Sequence, residues 1–131
     1  MLRNEFICVE TRRKITVYNI HLSPFATNQL RIKQINNTFG DMDLTSKNAI
    51  IIAGDFNYPY GRRRFEEEIK KNKLKESTRN INFTLEKRIL SRISVKLKLD
   101  YILYKKLKRI SNEKLKTFKS DHFPILSTFN V

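Results

Sequence analysis

The sequence predicts a layered α/β or α+β domain, and three observations lead to this prediction. The chain of 131 residues suits one domain and is long enough to bury a hydrophobic core. Short strand-like segments are interspersed with two segments of helical periodicity. No repeat or low-complexity linker divides the chain, so we expect residues 1–131 to form a single domain.

The first part of the chain predicts a hairpin followed by a helix. Residues 5–9 and 15–20 are strand-like, and the polar stretch between them is interpreted as a turn. Residues 28–46 carry apolar side chains at three- and four-residue steps, which is the periodicity of an α-helix. Either Ser23-Pro24 or Thr27 could begin this helix.

The remaining elements are mostly strands. The continuous apolar run at residues 49–53 is typical of a strand that is covered on both faces. Residues 62–73 predict a polar surface helix, because glutamate and lysine recur four residues apart. Alternating or short apolar segments predict further strands at residues 96–104, 107–110, 114–118 and 123–129.

Polar side chains stand at the ends of four predicted strands. They are His21, Asp55 with Asn57, Asp100, and Asp121 with His122. Strand ends lie along one edge of a sheet, where functional loops gather, so we expect these residues to meet in one cleft. Each signal alone also fits ordinary turn chemistry or a loop histidine without a function.

The stretch around Asp55 shows how such a strand end would work. Asp55 and Asn57 are two residues apart, so in an extended chain both point to one side while Phe56 points into the core. Gly54 has no side chain, which leaves room for a ligand near the backbone. The buried strand would then hold an acid and an amide toward a substrate.

The net charge of +14 predicts a polyanionic partner such as nucleic acid. Basic residues also cluster, and we take Arg62, Arg63 and Arg64 as candidate nucleic-acid contacts. The alternative is a general composition bias toward lysine, asparagine and isoleucine.

The sequence also indicates where the protein functions. Cys8 is the only cysteine, so no internal disulfide can form, and a buried thiol in a reducing, cytoplasmic setting is expected. No apolar stretch is long enough to span a membrane, and the N-terminus does not have the pattern of a signal peptide.

Four short motifs occur in an order that resembles one superfamily. They are NIHL (19–22), AGDFN (53–57), LDYIL (99–103) and SDHFP (120–124). Together they are similar to the motifs of the endonuclease/exonuclease/phosphatase superfamily, whose fold is that of deoxyribonuclease I. The resemblance implies an α/β fold with a two-layer β-sandwich flanked by helices. It runs from about residue 5 to the C-terminus and lacks the N-terminal portion of the family.

The resemblance implies phosphoester hydrolysis with a divalent metal, Mg²⁺ or Mn²⁺. Asp55 would orient or activate the attacking water and contribute to the metal site, with Asp121 as a further metal ligand. Asn57 would hold a phosphate oxygen. His122 would act on the scissile phosphate or its water, and Asp100 would fix the tautomer of His122.

The same resemblance assigns one more contact and one missing ligand. His21 would contact the phosphate near the leaving oxygen. The family's metal-binding glutamate lies in the N-terminal portion, and Asn4, Glu5 and Glu10 are in the wrong place to replace the residues of that portion. We therefore expect weak metal binding by this chain alone, and a homodimer or a second chain that completes the sandwich.

The predicted function is a metal-dependent phosphodiester hydrolase, a nuclease acting on DNA or RNA, because the positive charge favours nucleic acid. Two alternatives stay open. One is a non-catalytic remnant of the fold that binds nucleic acid. The other is a phosphatase that acts on a phosphoinositide or another small phosphoester.

Overall fold

A computed structural model describes residues 1–90, 93–116 and 119–131. The elements in these ranges are, in chain order, β1 (Leu2–Ile7), β2 (Lys14–His21), α1 (Asn28–Gly40), β3 (Ala49–Asp55), α2 (Arg62–Lys71), β4 (Lys75–Glu76), a 3₁₀ turn (Ser77–Asn80), β5 (Leu85–Leu90), β6 (Ile93–Leu97), β7 (Asp100–Lys105), β8 (Lys108–Lys114) and β9 (Ile125–Asn130). This mixture of strands and helices confirms the predicted α/β class. No helix in the described part of the chain is long and apolar enough to cross a membrane.

A five-stranded sheet with the order β1-β2-β3-β7-β4 forms the centre of the fold. The predicted hairpin is present, because β1 and β2 pair antiparallel. Strands β2 and β3 pair parallel, since helix α1 connects them and returns the chain to the same end of the sheet. Strand β7 then runs antiparallel to β3 on its other side.

Both helices contribute to the core that covers one face of this sheet. The largest hydrophobic cluster joins the sheet residues Tyr18, Ile20, Ile50, Ile52 and Leu103 with the helix residues Ile35, Phe39, Phe65 and Ile69. Full burial of a large apolar side chain contributes roughly 1.5–3 kcal/mol, so this cluster anchors the sheet rigidly on the two helices.

The opposite face of the sheet is covered near β7 by the hairpin of β8 and β9. The rings of Tyr104 and Phe129 are 5.0 Å apart between their centroids. The hydroxyls of Ser77 and Ser127 form a hydrogen bond of 2.9 Å. Helices, central sheet and hairpin therefore form successive layers.

Helix α1 is shorter than the periodicity predicts. Thr27 caps its start, because the side-chain oxygen accepts a hydrogen bond of 3.3 Å from the backbone N–H of Leu30. The helix ends at Gly40, and Asp43 then accepts hydrogen bonds from Thr45 and Ser46. Such side-chain turns compete with helical hydrogen bonds, which explains why residues 41–46 leave the helix.

The strand predicted at residues 96–104 is in fact two strands. The chain leaves its hairpin with β5 after Leu97 and joins the central sheet at Asp100. Strand β5 was not predicted. The predicted segments 107–110 and 123–129 overlap β8 and β9. Residues 117 and 118 of the predicted strand 114–118 lie outside the described residues.

Candidate active site

Three neighbouring strands bring polar side chains to one edge of the sheet. In the register of β2 and β3, His21 lies beside Asp55. In the register of β3 and β7, Asp55 lies beside Asp100. Because neighbouring positions of paired strands present their side chains on the same face, these three residues share the face that the helices do not cover. Strand pairing therefore assembles most of the site.

His122 joins this edge from the segment before β9. Its Nδ1 atom lies 2.8 Å from Oδ2 of Asp100. An ionised carboxylate can only accept a hydrogen bond, so Nδ1 carries the proton in the neutral imidazole and Nε2 presents a lone pair. The backbone N–H of His122 also donates to the hydroxyl oxygen of Ser120 at 3.1 Å. Asp100 therefore orients the ring of His122, and Ser120 holds its backbone.

Asp55 completes a cluster of three potential ligands. One ligand atom each from Asp55, Asp100 and His122 lie within 4.8 Å of one another. Burial raises the pKa of Asp55, and the nearby charge of Asp100 raises it further, while the hydrogen bond from Asn57 and the two histidines oppose this shift. The site therefore holds a carboxylate whose negative charge is poorly compensated by the protein.

His21 stands at the rim of this cluster. Its Nε2 atom lies 3.9 Å from Oδ2 of Asp55, and its side chain is 72% exposed. It is therefore accessible to a substrate from solvent while remaining next to the half-buried carboxylate.

Asn57 is held rigidly in the loop after β3. Its backbone N–H donates to Oδ1 of Asp55 at 2.8 Å, and its side-chain Nδ2 donates to the carbonyl of Leu22 at 2.9 Å. Its φ of +46° is uncommon for a residue other than glycine. Phe56 between them is fully buried, as its position in the sequence predicts. The side-chain Nδ2 of Asn57 has a second N–H, which can donate a hydrogen bond to a phosphate oxygen.

Gly54 allows close packing of the neighbouring strand. Its φ is +144°, and a Cβ atom there would overlap the carbonyl oxygen of Ile20 on the neighbouring parallel strand. The glycine therefore allows β2 and β3 to pair up to the site. Gly54 also lines a cleft beside Asp100 and His122, so the space for a ligand that the sequence predicts stays a prediction.

Asp121 and the three arginines are placed differently from the central cluster. Asp121 is exposed, and among the described residues its carboxylate is not part of the group within 4.8 Å. Arg62 binds Glu66 and the buried Glu76, whereas Arg63 binds Glu67 at 3.2 Å. Arg64 is exposed and forms no ion pair within the described ranges.

The pairing of Arg62 with Glu76 belongs to a buried ionic network. Lys98 also donates to Glu76, at 2.9 Å. Burial alone would raise the pKa of Glu76, but the hydrogen bonds from Arg62 and Lys98 outweigh it and lower the pKa. The guanidinium of Arg62 is therefore occupied by an internal carboxylate, that of Glu76.

Thr84 was not identified from the sequence, although its hydrogen bonds hold two segments of the site in place. It is fully buried, and its hydroxyl oxygen accepts hydrogen bonds of 3.0 Å from the backbone N–H groups of Leu99 and Asp100. Its carbonyl accepts a 2.7 Å hydrogen bond from the N–H of Phe123. One residue thus positions both Asp100 and the segment of His122. Thr84 directly precedes β5, and a lone threonine there carries no sequence signal for this role.

A cleft of about 380 Å³ opens beside the His122–Asp100 pair. Its lining includes Gly54, Ser120, Phe123 and Pro124 together with that pair. The volume lies at the lower end of the range for small-molecule sites, so a phosphate with an attached sugar or base would fit.

The donor set of the cluster fits a divalent cation. Magnesium takes oxygen ligands and is usually anchored by one or two carboxylates. Asp55 and Asp100 provide two carboxylates side by side, and a cation between them would offset the burial and the repulsion that raise the pKa of Asp55. These two residues would hold the ion.

The structure is similar to solved members of the endonuclease/exonuclease/phosphatase family. One of these, from Leptotrichia buccalis, matches with a TM-score of 0.70 and 23% identity, covering 92% of this chain and 51% of that chain. A mannosyl-6-phosphatase from Bacteroides thetaiotaomicron matches with a TM-score of 0.72 and 16% identity, over 97% of this chain and 55% of that chain. TDP2 of D. rerio, complexed with a single-strand DNA product, matches with a TM-score of 0.68 and 16% identity, covering 92% of this chain and 58% of that chain.

The chain therefore has the fold of endonuclease/exonuclease/phosphatase family proteins, which confirms the resemblance drawn from the four motifs. It spans about half the length of the solved structures that it matches. No family sequence model and no curated protein matches it. The solved structures include a protein complexed with a single-strand DNA product and a sugar phosphatase, so the substrate must be argued from the site.

Proposed function

We propose that this chain carries the catalytic residues of a metal-dependent phosphodiesterase that acts on nucleic acid. The cluster of Asp55, Asp100 and His122 at the ends of adjacent strands carries this proposal. A phosphodiester is anionic and repels a nucleophile, so its hydrolysis needs a cation, aligned hydrogen-bond donors and a positioned base. This edge of the sheet combines a candidate cation site, an asparagine amide and an oriented histidine.

Each residue has a distinct task in the proposed reaction. Asp100 keeps the proton on Nδ1 of His122, so Nε2 can accept a proton from the attacking water or bind the scissile phosphate. Asp55 orients the attacking water. Asn57 donates its amide N–H to a phosphate oxygen, and the exposed His21 contacts the phosphate near the leaving oxygen. A divalent cation, when bound, supplies positive charge against the phosphate.

The metal site and the partner extend this proposal. Asp121 is a further candidate ligand, because it directly precedes His122. The charge of +14 favours a polyanion, and Arg63 and Arg64 at the start of α2 are the exposed arginines of their cluster, which phosphates can reach. A solved relative carries a single-strand DNA product, which supports the same substrate class.

A second candidate function is hydrolysis of a small phosphoester. The similarity to a sugar phosphatase favours it, since the fold accommodates that chemistry. The two functions differ in what the positive charge does. A nuclease needs it along the substrate backbone, whereas a phosphatase for a small substrate needs only the charges inside the cleft.

Cleavage and metal binding test the proposal together. The purified chain is incubated with a labelled oligonucleotide, a synthetic phosphodiester and a sugar monophosphate, with Mg²⁺ or Mn²⁺ and with chelator. We expect metal-dependent cleavage of the oligonucleotide that is weak, because the chain offers few carboxylates near the site. Asp55→Asn and His122→Asn should abolish it, whereas Glu113→Gln on the exposed strand β8 should not.

Calorimetric titration with Mn²⁺ separates the outcomes. Binding that Asp55→Asn removes, without any cleavage, would favour the non-catalytic remnant. Preferred hydrolysis of the sugar monophosphate would favour the phosphatase. If the wild-type chain showed neither metal binding nor cleavage, this result would contradict the proposed site itself.

A further inference from the structure

Strand β1 leaves one edge of the central sheet open. It is the first strand in the order β1-β2-β3-β7-β4, and no described strand pairs with its outer edge. All six of its residues are exposed. An edge strand presents a row of unpaired N–H and C=O groups, which is a template for pairing with another chain.

Leu2 and Phe6 lie on one face of β1, whereas Ile7, which is also exposed, lies on the other. Leu2 lies beside Asn19 and Phe6 beside Ile15 in the register with β2. Both are on the face that the helices do not cover, and they are 69% and 54% exposed. Isolated exposed apolar residues are common, but here two of them flank an open edge.

The remaining residues of β1 make the strand self-complementary. Leu2-Arg3-Asn4-Glu5-Phe6 is symmetric in character about Asn4, with apolar residues outermost and opposite charges inside. If two copies pair antiparallel about Asn4, Leu2 of each copy lies opposite Phe6 of the other. Arg3 of each copy then lies opposite Glu5 of the other, on the other face of the sheet.

We propose that β1 pairs with β1 of a second copy of this chain, forming a two-fold symmetric dimer with a continuous sheet. Within one chain Arg3 and Glu5 bind each other at 2.6 Å, and in the dimer each would exchange this partner for its counterpart in the second copy. Two-fold pairing uses the same surface of both copies, so it closes at the dimer and does not extend into a fibre.

The overall charge is the main force against this dimer. Each copy carries +14, so two copies repel each other at low salt. At physiological salt the Debye length is about 8 Å, so distant charges are screened while the adjacent Arg3–Glu5 pairs still interact. The dimer should therefore form at physiological salt and weaken at low ionic strength.

Light scattering after size-exclusion chromatography tests the proposal over a hundredfold range of concentration. The mass should rise from 15.6 kDa for one chain toward twice that value. Glu5→Arg places two cations opposite each other and should weaken dimerisation by about tenfold or more, because both symmetry-related pairs change. The double variant R3E/E5R restores opposite charges and should recover the dimer.

The matched control is Glu113→Arg on β8, which changes the net charge by the same amount and should have little effect. Hydrogen exchange of the β1 amides gives a second measurement, and it should slow as the concentration rises. A chain that stays monomeric would overturn the proposal and leave this edge to a different partner. Equal effects of E5R and E113R, or no recovery in the double variant, would overturn the register about Asn4.

Discussion

The Nδ1 atom of His122 lies 2.8 Å from Oδ2 of Asp100, although the two residues are 22 positions apart in the chain. Asp100 begins the buried strand β7, whereas His122 stands in the segment before β9. The contact therefore exists only because separate strands meet at one edge. It sets the tautomer of the histidine and is the relationship on which the proposed chemistry most depends.

Asp100→Asn should impair catalysis much more than binding. An amide can donate to Nδ1, which favours the tautomer with the proton on Nε2 and removes the lone pair needed there. Because a positioned base typically contributes 10²–10⁴-fold, we expect cleavage to fall on the order of a thousandfold. The affinity for an oligonucleotide should stay nearly unchanged.

Nitrogen NMR of the His122 ring provides a readout that does not need activity. The wild-type chain should show a protonated Nδ1, and the Asp100→Asn chain a protonated Nε2. If cleavage and binding fell together with no change in the ring nitrogens, Asp100 would act through the fold or the cation site and not through the tautomer of His122.

Thr84→Val should disturb the site by removing hydrogen bonds that hold the backbone of Asp100. The substitution keeps the size of the side chain but removes the acceptor for the N–H groups of Leu99 and Asp100. Leaving a buried donor unsatisfied costs about 1–3 kcal/mol, so urea unfolding should show a loss of that order in the free energy of unfolding. Thr84→Ser keeps the hydroxyl and should retain most of the stability and the wild-type tautomer of His122. A fully stable Thr84→Val chain would show that these two hydrogen bonds are dispensable.

Glu76 should make the stability of the fold sensitive to acid. Its pKa in the folded chain is lowered below the ordinary value of 4.5, because hydrogen bonds from Arg62 and Lys98 outweigh the effect of burial. The unfolded chain therefore binds the proton more readily. The stabilisation is complete above pH 4.5 and is lost as the pH falls through the lower pKa of the folded chain.

Glu76→Gln tests this contribution at neutral pH. Removing one partner from a buried ionic network leaves uncompensated charge, and we expect the free energy of unfolding to fall by about 3 kcal/mol. Glu67→Gln, which breaks the exposed pair with Arg63, should cost no more than about 1 kcal/mol. If the two variants unfolded at the same urea concentration, the network around Glu76 would not contribute as argued.

Arg63→Gln combined with Arg64→Gln should reduce the salt dependence of nucleic-acid binding. Binding to phosphates releases counterions, so the removal of each cation that binds a phosphate should reduce the slope of log K against log salt by roughly 0.7 for single strands. Fluorescence anisotropy with a labelled oligonucleotide measures this slope. The control variant, Lys47→Gln with Lys106→Gln, removes the same charge from the end of the sheet opposite Asp55. A slope that falls equally in both variants would indicate only non-specific attraction.

Local sequence signals were sufficient for the elements that depend on neighbouring residues. The apolar run before Asp55 became the central strand β3, and the helical periodicity after Thr27 became α1. Polar residues at strand ends predicted a common cleft, because paired strands end at one edge of a sheet whatever lies between them. The four motifs were specific enough to identify the fold without a close relative.

The tertiary structure decided what depends on which distant segments meet. Thr84 accepts a hydrogen bond from the backbone N–H of Asp100, where the strand predicted at residues 96–104 divides into β6 and β7. A residue with no role predicted from the sequence therefore supports the site. Arg62 bonds to Glu76 inside the fold and differs for that reason from Arg64, its neighbour in the same cluster.

The same distinction holds for two further features of the central sheet. The sequence by itself determined an α/β fold, a strand that ends in an acid and an amide, and a strongly basic chain. Only the structure placed Ile20 against Gly54, so that the glycine serves strand pairing. It also placed β1 at an open edge, where its symmetric charges become significant. Hydrophobic periodicity is carried by residues that are near in sequence, whereas hydrogen bonds and strand partners depend on how the whole chain packs.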